Sequence, residues 1–383
     1  MNPDDLAALT ALRHHLHQRP ETRFEVAGTA AVIADHLDAA GLEVTTGVGG
    51  SGVVATLRRG TAARSIGLRA DLDALPIQER GAPTYASQVD GAHHGCGHDG
   101  HATMLLGAAQ ALARDDDLDG TVHLLFQPSE EDGRGAQAMI DDQLFERFPM
   151  DAVFGLHNLP GVAVGHLATR DGPFTTFEDV FEIAIEGSGG HASAPHRTVD
   201  PLVTGAEVVL ALQTIVARAL PPGEHAVVSV TELVTDGARN VIPGRVTLRG
   251  DTRGYEDHVS ALIQERMERI VHGVAVAHGA TATLSYQREF HPVVNTSAAT
   301  QAAIVAAGLV DGMTVDATVE PMGFSEDFAR YLAHRPGCFV VLGNGTDGAH
   351  GRPLHHPSYD FNDAAIPFGV AYWCTLVRGW LGP

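Results

Sequence analysis

The sequence contains few cysteines: three in 383 residues, Cys96, Cys338 and Cys374. A sparse, odd number of cysteines excludes a disulfide framework and is typical of proteins from a reducing compartment. Cys338 and Cys374 lie within apolar runs, so we expect both of them to be core residues. Cys96 instead lies among glycines, histidines and an aspartate, which indicates a chemical role.

Basic residues are also scarce, with 25 Lys and Arg against 47 Asp and Glu and a net charge of −22. This balance argues against nucleic acids and anionic membranes as partners. No uninterrupted apolar run reaches the ~18 residues needed to span a bilayer. The first five residues lack the basic and apolar regions of a signal peptide. We therefore expect a cytoplasmic protein.

The length of 383 residues, with 44% hydrophobic and 19% charged residues, predicts a globular protein of two or three domains. Strands and helices alternate over 1–177 and 291–383, which indicates an α/β domain with a mainly parallel sheet. Its predicted strands are 42–46, 53–58, 65–70, 121–126, 151–155 and 338–342. Its predicted helices include 29–40, 136–141, 297–308, 325–333 and 363–381.

The region 178–290 has a different pattern, strand-helix-strand-strand-helix-strand, which is the split βαβ arrangement of a ferredoxin-like domain. Its predicted strands are 179–186, 226–234, 245–252 and 280–290, and its predicted helices are 199–220 and 256–278. We therefore predict a smaller α+β domain inserted into the first domain.

The segment 47–52 matches the G-x-G-x-x-G pattern of dinucleotide-binding proteins, and Asp71 follows at about the distance of a ribose-binding acid. The segment leads into a predicted strand at 53–58, whereas the dinucleotide motif must lead into a helix. We therefore interpret it as a hairpin loop.

The segment 95–101 combines a thiol, two imidazoles and a carboxylate with three glycines, which allow the backbone to bend tightly. Thiolate, imidazole and carboxylate are ligands for a borderline-soft divalent ion such as zinc. Asp71, Glu130-Glu131 and His157 follow three predicted strands, where open α/β sheets place their ligands. Of the adjacent glutamates, one can bind metal while the other moves protons.

These motifs together resemble the M20 family of dinuclear metal amidohydrolases and peptidases, in its aminoacylase and hippurate-hydrolase branch. The resemblance covers nearly the whole chain, because the motifs occur in order and at the expected spacing. They are the segments 13–17, 20–21, 71–76, 96–101, 126–131, 155–157, 189–196, 240–243, 325–328 and 354–363.

The resemblance implies that two divalent ions bind per subunit, with zinc favoured and manganese, cobalt or nickel as alternatives. It implies five metal ligands, Cys96, His98, Glu131, His157 and His355, and it leaves His356 open as the alternative to His355. It implies three catalytic residues: Glu130 as general base, Asp73 as a residue that orients the site, and His191 as a transition-state donor. Substrate contacts would come from His191 and Asn240. The inserted domain would serve as a lid and dimerisation domain, which predicts a homodimer.

The implied activity is hydrolysis of the amide bond of N-acyl or N-aroyl amino acids, with release of a carboxylic acid and a free amino acid. A dipeptidase or carboxypeptidase on the same scaffold is the alternative, and a metal-binding scaffold without turnover is a third hypothesis. Glu130 argues against the third, since such a scaffold needs no base. We expect the other histidines of the motifs to be structural or loop residues: His14, His15, His17, His93, His94, His101 and His196.

Overall fold

The computed structural model describes residues 1–382, which form two compact units. The first unit comprises 1–174, 294–320 and the chain from 327 onward, and the second comprises 175–293 and 321–326. The helices are α1 Pro3–His17, α2 Ala27–Ala39, α3 His98–Ala113, α4 Gly135–Asp141, α5 Leu144–Arg147, α6 Pro201–Thr214, α7 Asp257–His278, α8 Ser297–Gly308, α9 Ala329–Leu332 and α10 Ile366–Leu381. The strands are β1 Glu43–Val48, β2 Gly52–Arg59, β3 Ser65–Asp71, β4 Gly120–Gln127, β5 Val153–Pro160, β6 His166–Ala168, β7 Gly172–Pro173, β8 Phe177–Glu186, β9 Gly190–His191, β10 Ala226–Thr235, β11 Val241–Ile242, β12 Arg245–Gly254, β13 Thr281–Phe290, β14 Val294–Asn295, β15 Thr314–Asp316 and β16 Gly337–Gly345.

An eight-stranded sheet in the order β1-β2-β4-β3-β5-β16-β6-β15 forms the centre of the first unit. The four strands β4, β3, β5 and β16 run parallel to one another. The pairs β1–β2 and β2–β4 are antiparallel. β3 is buried along its whole length, as expected for a parallel strand with both faces covered. The prediction of an α/β fold with a mainly parallel sheet is confirmed.

Helix α3 is buried on almost every side, because α1, α2, α10 and the strand β3 all pack against it. Its small residues permit this close packing. A methyl group on Gly107 would lie 2.7 Å from side-chain carbons of both Leu9 and Val370. Since α3 begins at His98, this packing also fixes the position of the cysteine-histidine segment that precedes and starts the helix.

The glycine-rich segment 47–52 joins β1 to β2 as an antiparallel hairpin, which confirms the rejection of a nucleotide-binding loop. The predicted helix 325–333 is wrong: only Ala329–Leu332 is helical, since the side chain of Asp327 is drawn into a buried hydrogen-bond network. The predicted strand 151–155 extends to Pro160, so His157 lies within β5 instead of beyond its end. Several strands of two or three residues are too short for periodicity to predict.

The second unit contains an antiparallel sheet in the order β10-β12-β8-β13, with α6 and α7 packed against it. Its chain order, strand-helix-strand-strand-helix-strand, and its sheet confirm the predicted ferredoxin-like arrangement. β8 alternates buried and half-buried residues, as expected for a sheet with one face on the core. The predicted helix 199–220 begins at Pro201, because the side chain of Asp200 accepts hydrogen bonds from the N–H groups of Leu202 and Val203.

Helix α6 continues into a π-helical turn at Ile215–Ala219. The joined stretch Pro201–Ala219 is long and apolar enough, by length and composition only, to cross a membrane. This stretch is not an uninterrupted apolar run, because it contains the charged residues Glu207 and Arg218. One such helix is weak evidence of a membrane segment, since core helices of soluble proteins pass the same test.

Candidate metal centre

Separate segments of the first unit supply the predicted metal ligands. The ligands are Cys96 in the loop before α3, His98 at the start of α3, Glu131 after β4, His157 within β5 and His355 after β16. Because β3, β4 and β5 are parallel neighbours, their carboxyl ends meet at one edge of the sheet. The sheet topology therefore explains why residues so distant in sequence converge.

The five predicted ligands form one cluster. Cys96 Sγ lies 3.4 Å from His157 Nε2, and His355 Nε2 lies 3.3 Å from Glu131 Oε2. His98 Nε2 lies 3.8 Å from Glu131 Oε1. The ligand atoms of Cys96, His98 and His157 lie within 4.8 Å of one another, as do those of Cys96, Glu131 and His355. The two groups have only Cys96 in common, so each group can hold an ion of its own.

Backbone carbonyls fix the orientation of two imidazoles. His98 Nδ1 donates to the carbonyl oxygen of Asp73 at 2.7 Å, and His157 Nδ1 donates to the carbonyl oxygen of Asn158 at 2.7 Å. A carbonyl oxygen can only accept, so Nδ1 carries the proton in both rings. When a metal ion displaces any proton on Nε2, that nitrogen presents its lone pair to the cluster, which is the usual arrangement of metal-binding histidines.

Asp73 positions the two adjacent glutamates through their backbones. Its Oδ1 accepts from the N–H of Glu130 at 3.0 Å, and its Oδ2 accepts from the N–H of Glu131 at 3.2 Å. Ser129, just before them, has a φ of +53°, an uncommon conformation for a non-glycine residue that turns the chain after β4. Glu130 Oε2 lies 3.9 Å from His98 Nε2, so Glu130 lies beside the predicted ligands.

Two backbone positions bring the loops together. Gly97 has a φ of +90°, and a methyl group there would lie 2.4 Å from Asn158 Oδ1, so only glycine fits. His355 has a φ of +64°, and its N–H donates to the carbonyl oxygen of Gly95 at 2.8 Å. Left-handed non-glycine residues concentrate at functional sites. The neighbouring His356 has a different hydrogen-bond partner, since its Nδ1 accepts from the N–H of Ser358.

His101 is held by hydrogen bonds and does not join the five ligands. Its Nδ1 donates to Asp71 Oδ1 at 2.6 Å, and its Nε2 lies 2.6 Å from Asn158 Oδ1 and 3.0 Å from the backbone nitrogen of Asn158. Asp71 Oδ2 accepts from Arg69 at 2.7 Å. Asp71 thus connects the guanidinium of Arg69 to the helix that carries His98.

Arg69 has two further partners, Asp327 and Gln127, at 2.9 Å each. Asp327 also accepts from Gln127 and from the N–H of Ala136. The sequence motif 325–328 assigns no role to Asp327, and no sequence feature points to Asn158. Asp327 follows Ser325 and Glu326, so the local pattern gives no sign that this acid is buried.

The first motif of the chain has structural contacts. Arg13 is fully buried, and its guanidinium binds Asp360 at 2.9 Å and Asp363 at 2.8 Å. His17 Nδ1 donates to Asp99 Oδ2 at 2.8 Å. These pairs connect α1 to the start of α3 and to the loop before α10.

The electrostatics of the cluster suit a cation. Burial, with the charges of Glu131 and Glu130, raises the pKa of the Cys96 thiol well above its usual value. Burial also raises the pKa of Glu131 to about 7, although His98 opposes this shift. For His98, burial lowers the pKa, but Asp71 and the other acids outweigh it and raise the pKa to about 10. Because the pKa values of Cys96, His98 and Glu131 are all raised, protons on these residues offset the negative charge of the site when no cation is bound.

The residues present fit divalent metal ions. His98 Nε2 and Glu131 Oε1 are buried and have no hydrogen-bond partner in the described part of the chain, although buried polar atoms are normally paired. A thiolate, imidazoles and a carboxylate together are the ligand set of zinc and related ions. A metal ion would satisfy these atoms and replace the protons.

His191 and Asn240 belong to the second unit, where the structure places them side by side. β9, which contains His191, pairs with β11, and the N–H of Ala192 donates to the carbonyl oxygen of Asn240 at 3.1 Å. Nδ1 of His191 accepts from the N–H of Ser193 at 3.1 Å and contacts the Ser193 hydroxyl at 2.7 Å. The Nε2–H of the neutral ring is therefore free to donate.

A two-unit fold with a cysteine, histidine and glutamate cluster at the carboxyl edge of a parallel sheet defines a metal-dependent hydrolase. The family model described as Peptidase family M20/M25/M40 matches residues 67–379. The chain belongs to this family, which confirms the resemblance identified from its motifs. It is an enzyme of the metal-dependent amidohydrolase kind, with a centre for two divalent ions.

Three relatives illustrate the similarity. The chain is 37% identical to N-acetyl-L-cysteine deacetylase of Bacillus subtilis (strain 168), over 95% of this chain and 87% of the relative. It is 36% identical to hippurate hydrolase of Campylobacter jejuni, over 97% and 96% of the two chains. It is 34% identical to thermostable carboxypeptidase 2 of Saccharolobus solfataricus, over 87% and 84%.

A solved structure of a dinuclear metal-binding peptidase of the M20 family from Bacillus subtilis has the same fold. Its TM-score is 0.87 at 30% sequence identity, and the similarity covers 99% of both chains.

Metal binding should become stronger as pH rises, because the ion must displace the proton that the raised pKa of Cys96 retains. In the Cys96→Ser variant the plot of log affinity against pH should lose about one unit of slope, since one proton fewer is displaced. Competition of zinc with a chromophoric chelator between about pH 6 and about pH 8 measures this. Cys338→Ser, which removes a buried thiol outside the cluster, is the control; an equal slope in Cys96→Ser and wild type would show that Cys96 does not bind the ion.

Proposed function

We propose that this enzyme hydrolyses the amide bond of N-acyl or N-aroyl amino acids and releases a carboxylic acid and a free amino acid. The observation that carries the proposal is the adjacent pair Glu130-Glu131, in which one carboxylate lies among predicted metal ligands and the other lies beside them. The relatives named for deacetylation of N-acetyl-L-cysteine and for hydrolysis of hippurate support this substrate class.

The proposed ligands of the two ions are Cys96, His98, Glu131, His157 and His355. Such ions, when bound, polarise a substrate carbonyl and lower the pKa of a bound water. We propose zinc as the metal because of the thiol ligand, with manganese, cobalt and nickel as alternatives. The side chain of His355 is about half exposed, whereas those of Cys96 and His98 are buried, so the cluster is accessible from the His355 side.

Glu130 is the proposed general base. Its carboxylate takes a proton from the attacking water as the oxygen bonds to the substrate carbonyl carbon. It then delivers this proton to the amide nitrogen as the C–N bond breaks, so the amino acid leaves as a neutral amine. Asp73 supports both steps, because its carboxylate accepts hydrogen bonds from the backbone N–H groups of Glu130 and Glu131 and so holds the two residues in different positions.

His191 is the proposed donor to the carbonyl oxygen that gains charge during the attack. Its hydrogen bonds with Ser193 leave Nε2–H as the free donor of the neutral ring. Hydrogen bonds to a developing oxyanion are strongest where donors are held in place beforehand. Asn240, on the neighbouring strand segment, is the proposed substrate-binding partner of His191.

We further propose a homodimer formed through the inserted domain, for which 178–290 are the proposed boundaries. Among the described residues, nine of the fourteen exposed large hydrophobic side chains belong to the second unit: Leu202, Val203, Leu210, Val216, Val227, Leu233, Val234, Val241 and Val276. Where such residues form a contiguous patch, they mark an interaction surface. The absence of nucleic-acid and membrane partners, and a cytoplasmic location, stay predictions.

A substrate panel tests the proposed activity. N-acetyl and N-benzoyl amino acids should be hydrolysed, whereas dipeptides with a free amino terminus should be poor substrates, when zinc, manganese, cobalt or nickel is supplied separately. The measurement is release of free amino acid. Faster hydrolysis of free dipeptides, or of peptides blocked at the amino terminus, would favour the dipeptidase or carboxypeptidase alternative, which the carboxypeptidase relative supports.

Two neighbouring substitutions separate the base from the ligand. Glu130→Gln should keep the metal content of wild type and lower kcat by about 10²–10⁴-fold, the contribution of a general acid-base group. Glu131→Gln should instead lower the metal content. Metal analysis and turnover on an N-acyl amino acid measure both effects. Wild-type kcat in Glu130→Gln would remove Glu130 as base, and loss of metal from it would make it a ligand.

His191→Ala should keep both metal ions and lower kcat by about 10²–10³-fold, the range for loss of one oxyanion donor. If the partner subunit supplies this histidine, mixing Glu130→Gln with His191→Ala subunits should restore part of the activity, because one hybrid site has both groups. Subunit exchange is verified by mass spectrometry of the mixture. No recovery despite exchange would place His191 in the same chain as its site.

A further inference from the structure

A second cluster of metal-binding side chains lies in the first unit and shares no residue with the five predicted ligands. It consists of His17 at the end of α1, and Glu79 and His93 in the segment between β3 and α3. His17 Nε2 lies 3.6 Å from Glu79 Oε1, and His93 Nδ1 lies 3.8 Å from Glu79 Oε2. One ligand atom from each residue lies within 4.8 Å of the other two.

These side chains are buried and lack hydrogen-bond partners. His17 and His93 are 0% exposed, and the Glu79 side chain is 4% exposed. Within residues 1–382, His17 Nε2, Glu79 Oε1 and both ring nitrogens of His93 have no hydrogen-bond partner. Leaving buried polar atoms unpaired costs free energy. Several unpaired atoms within one buried cluster therefore indicate a missing ligand.

Hydrogen bonds outside the cluster hold its donors in the orientation that a metal needs. Asp99 Oδ2 accepts from His17 Nδ1 at 2.8 Å, which directs Nε2 toward Glu79. The N–H of Ser87 donates to Glu79 Oε2 at 2.6 Å. A carboxylate bonded to the far nitrogen of an imidazole is the usual support for a metal-binding histidine.

We propose that His17, Glu79 and His93 form a third divalent-cation site, separate from the dinuclear centre, with zinc as the best-suited ion. Two imidazoles and one carboxylate are a common zinc ligand set, and water completes a tetrahedron. Zinc bonds of about 2.0–2.1 Å hold ligand atoms roughly 3.3–3.4 Å apart. The observed separations, 3.6 Å from His17 Nε2 to Glu79 Oε1 and 3.8 Å from His93 Nδ1 to Glu79 Oε2, exceed hydrogen-bond distance. Each imidazole faces a different oxygen of the carboxylate, so both oxygens are available to an ion bound by the two rings.

Gly95 contributes space for this site. A methyl group at position 95 would lie 3.1 Å from Cδ2 of His93, a tight contact, so glycine leaves room for the imidazole. An ion bound here would connect the end of α1 to the segment that leads into Cys96 and α3. The site is therefore structural: it holds the loop of the dinuclear centre without taking part in catalysis.

Zinc content tests the proposal. Enzyme saturated with zinc and passed over a weak chelating resin should contain about three ions per chain for wild type and about two for His93→Phe. His93→Cys should restore about three, since a thiolate is also a zinc ligand. His123→Phe, which removes a buried histidine of β4 outside both clusters, is the matched control and should retain about three.

Anomalous diffraction at the zinc edge from wild-type crystals gives a test that needs no variant. A peak bonded to His17, Glu79 and His93 is expected. No peak there, or two ions per chain in saturated wild type, would overturn the third site and establish a metal-free ion pair of His17 and Glu79 in its place. Equal zinc in His93→Phe and wild type would also overturn it. Neither result bears on the dinuclear centre, whose own ions are counted separately.

Discussion

The buried guanidinium of Arg69 is the interaction on which the metal centre depends. It binds Asp71 and Asp327 at once, and it also donates to Gln127. Asp71 then holds His101, on the helix that starts with His98. Removing one partner of a buried ion pair costs about 3–5 kcal/mol, because an uncompensated charge remains. The positive charge of Arg69 therefore allows carboxylates to remain ionised next to a site that must bind cations.

Hydrogen bonds to the backbone set the chemistry of the individual ligands. Carbonyl oxygens place the protons of His98 and His157 on Nδ1 and leave Nε2 for the metal. The side chain of Asp73 holds the backbone N–H groups of Glu130 and Glu131, so the two carboxylates occupy different positions. The proposed base and the proposed ligand are both glutamates, so only their positions distinguish them. In the proposed third site a side chain has this orienting role instead, since the Asp99 carboxylate accepts a hydrogen bond from His17 Nδ1.

Much of the fold and of the cluster is predictable from local patterns. The strands 65–70 and 121–126 and the helix 297–308 agree with β3, β4 and α8 to within a residue or two. The two strands are short apolar runs, and the helix is rich in alanine, which has the highest helix propensity. The helix predicted over 325–333 fails because a tertiary network takes the side chain of Asp327. The sequence predicts His17 and His93 to be structural or loop residues and does not indicate that they meet, because they lie 76 positions apart.

The sequence by itself determined the family, the α/β class with an inserted ferredoxin-like domain, and the residue types of the metal centre. Ligand chemistry and periodicity are local properties, and a single chain displays them directly. Only the tertiary structure decided which atoms meet: the order of the strands in the sheet, the proton positions on His98 and His157, and the unpaired atoms around Glu79. These depend on contacts between residues distant along the chain, because strand pairing and burial are cooperative outcomes of packing that no local pattern records.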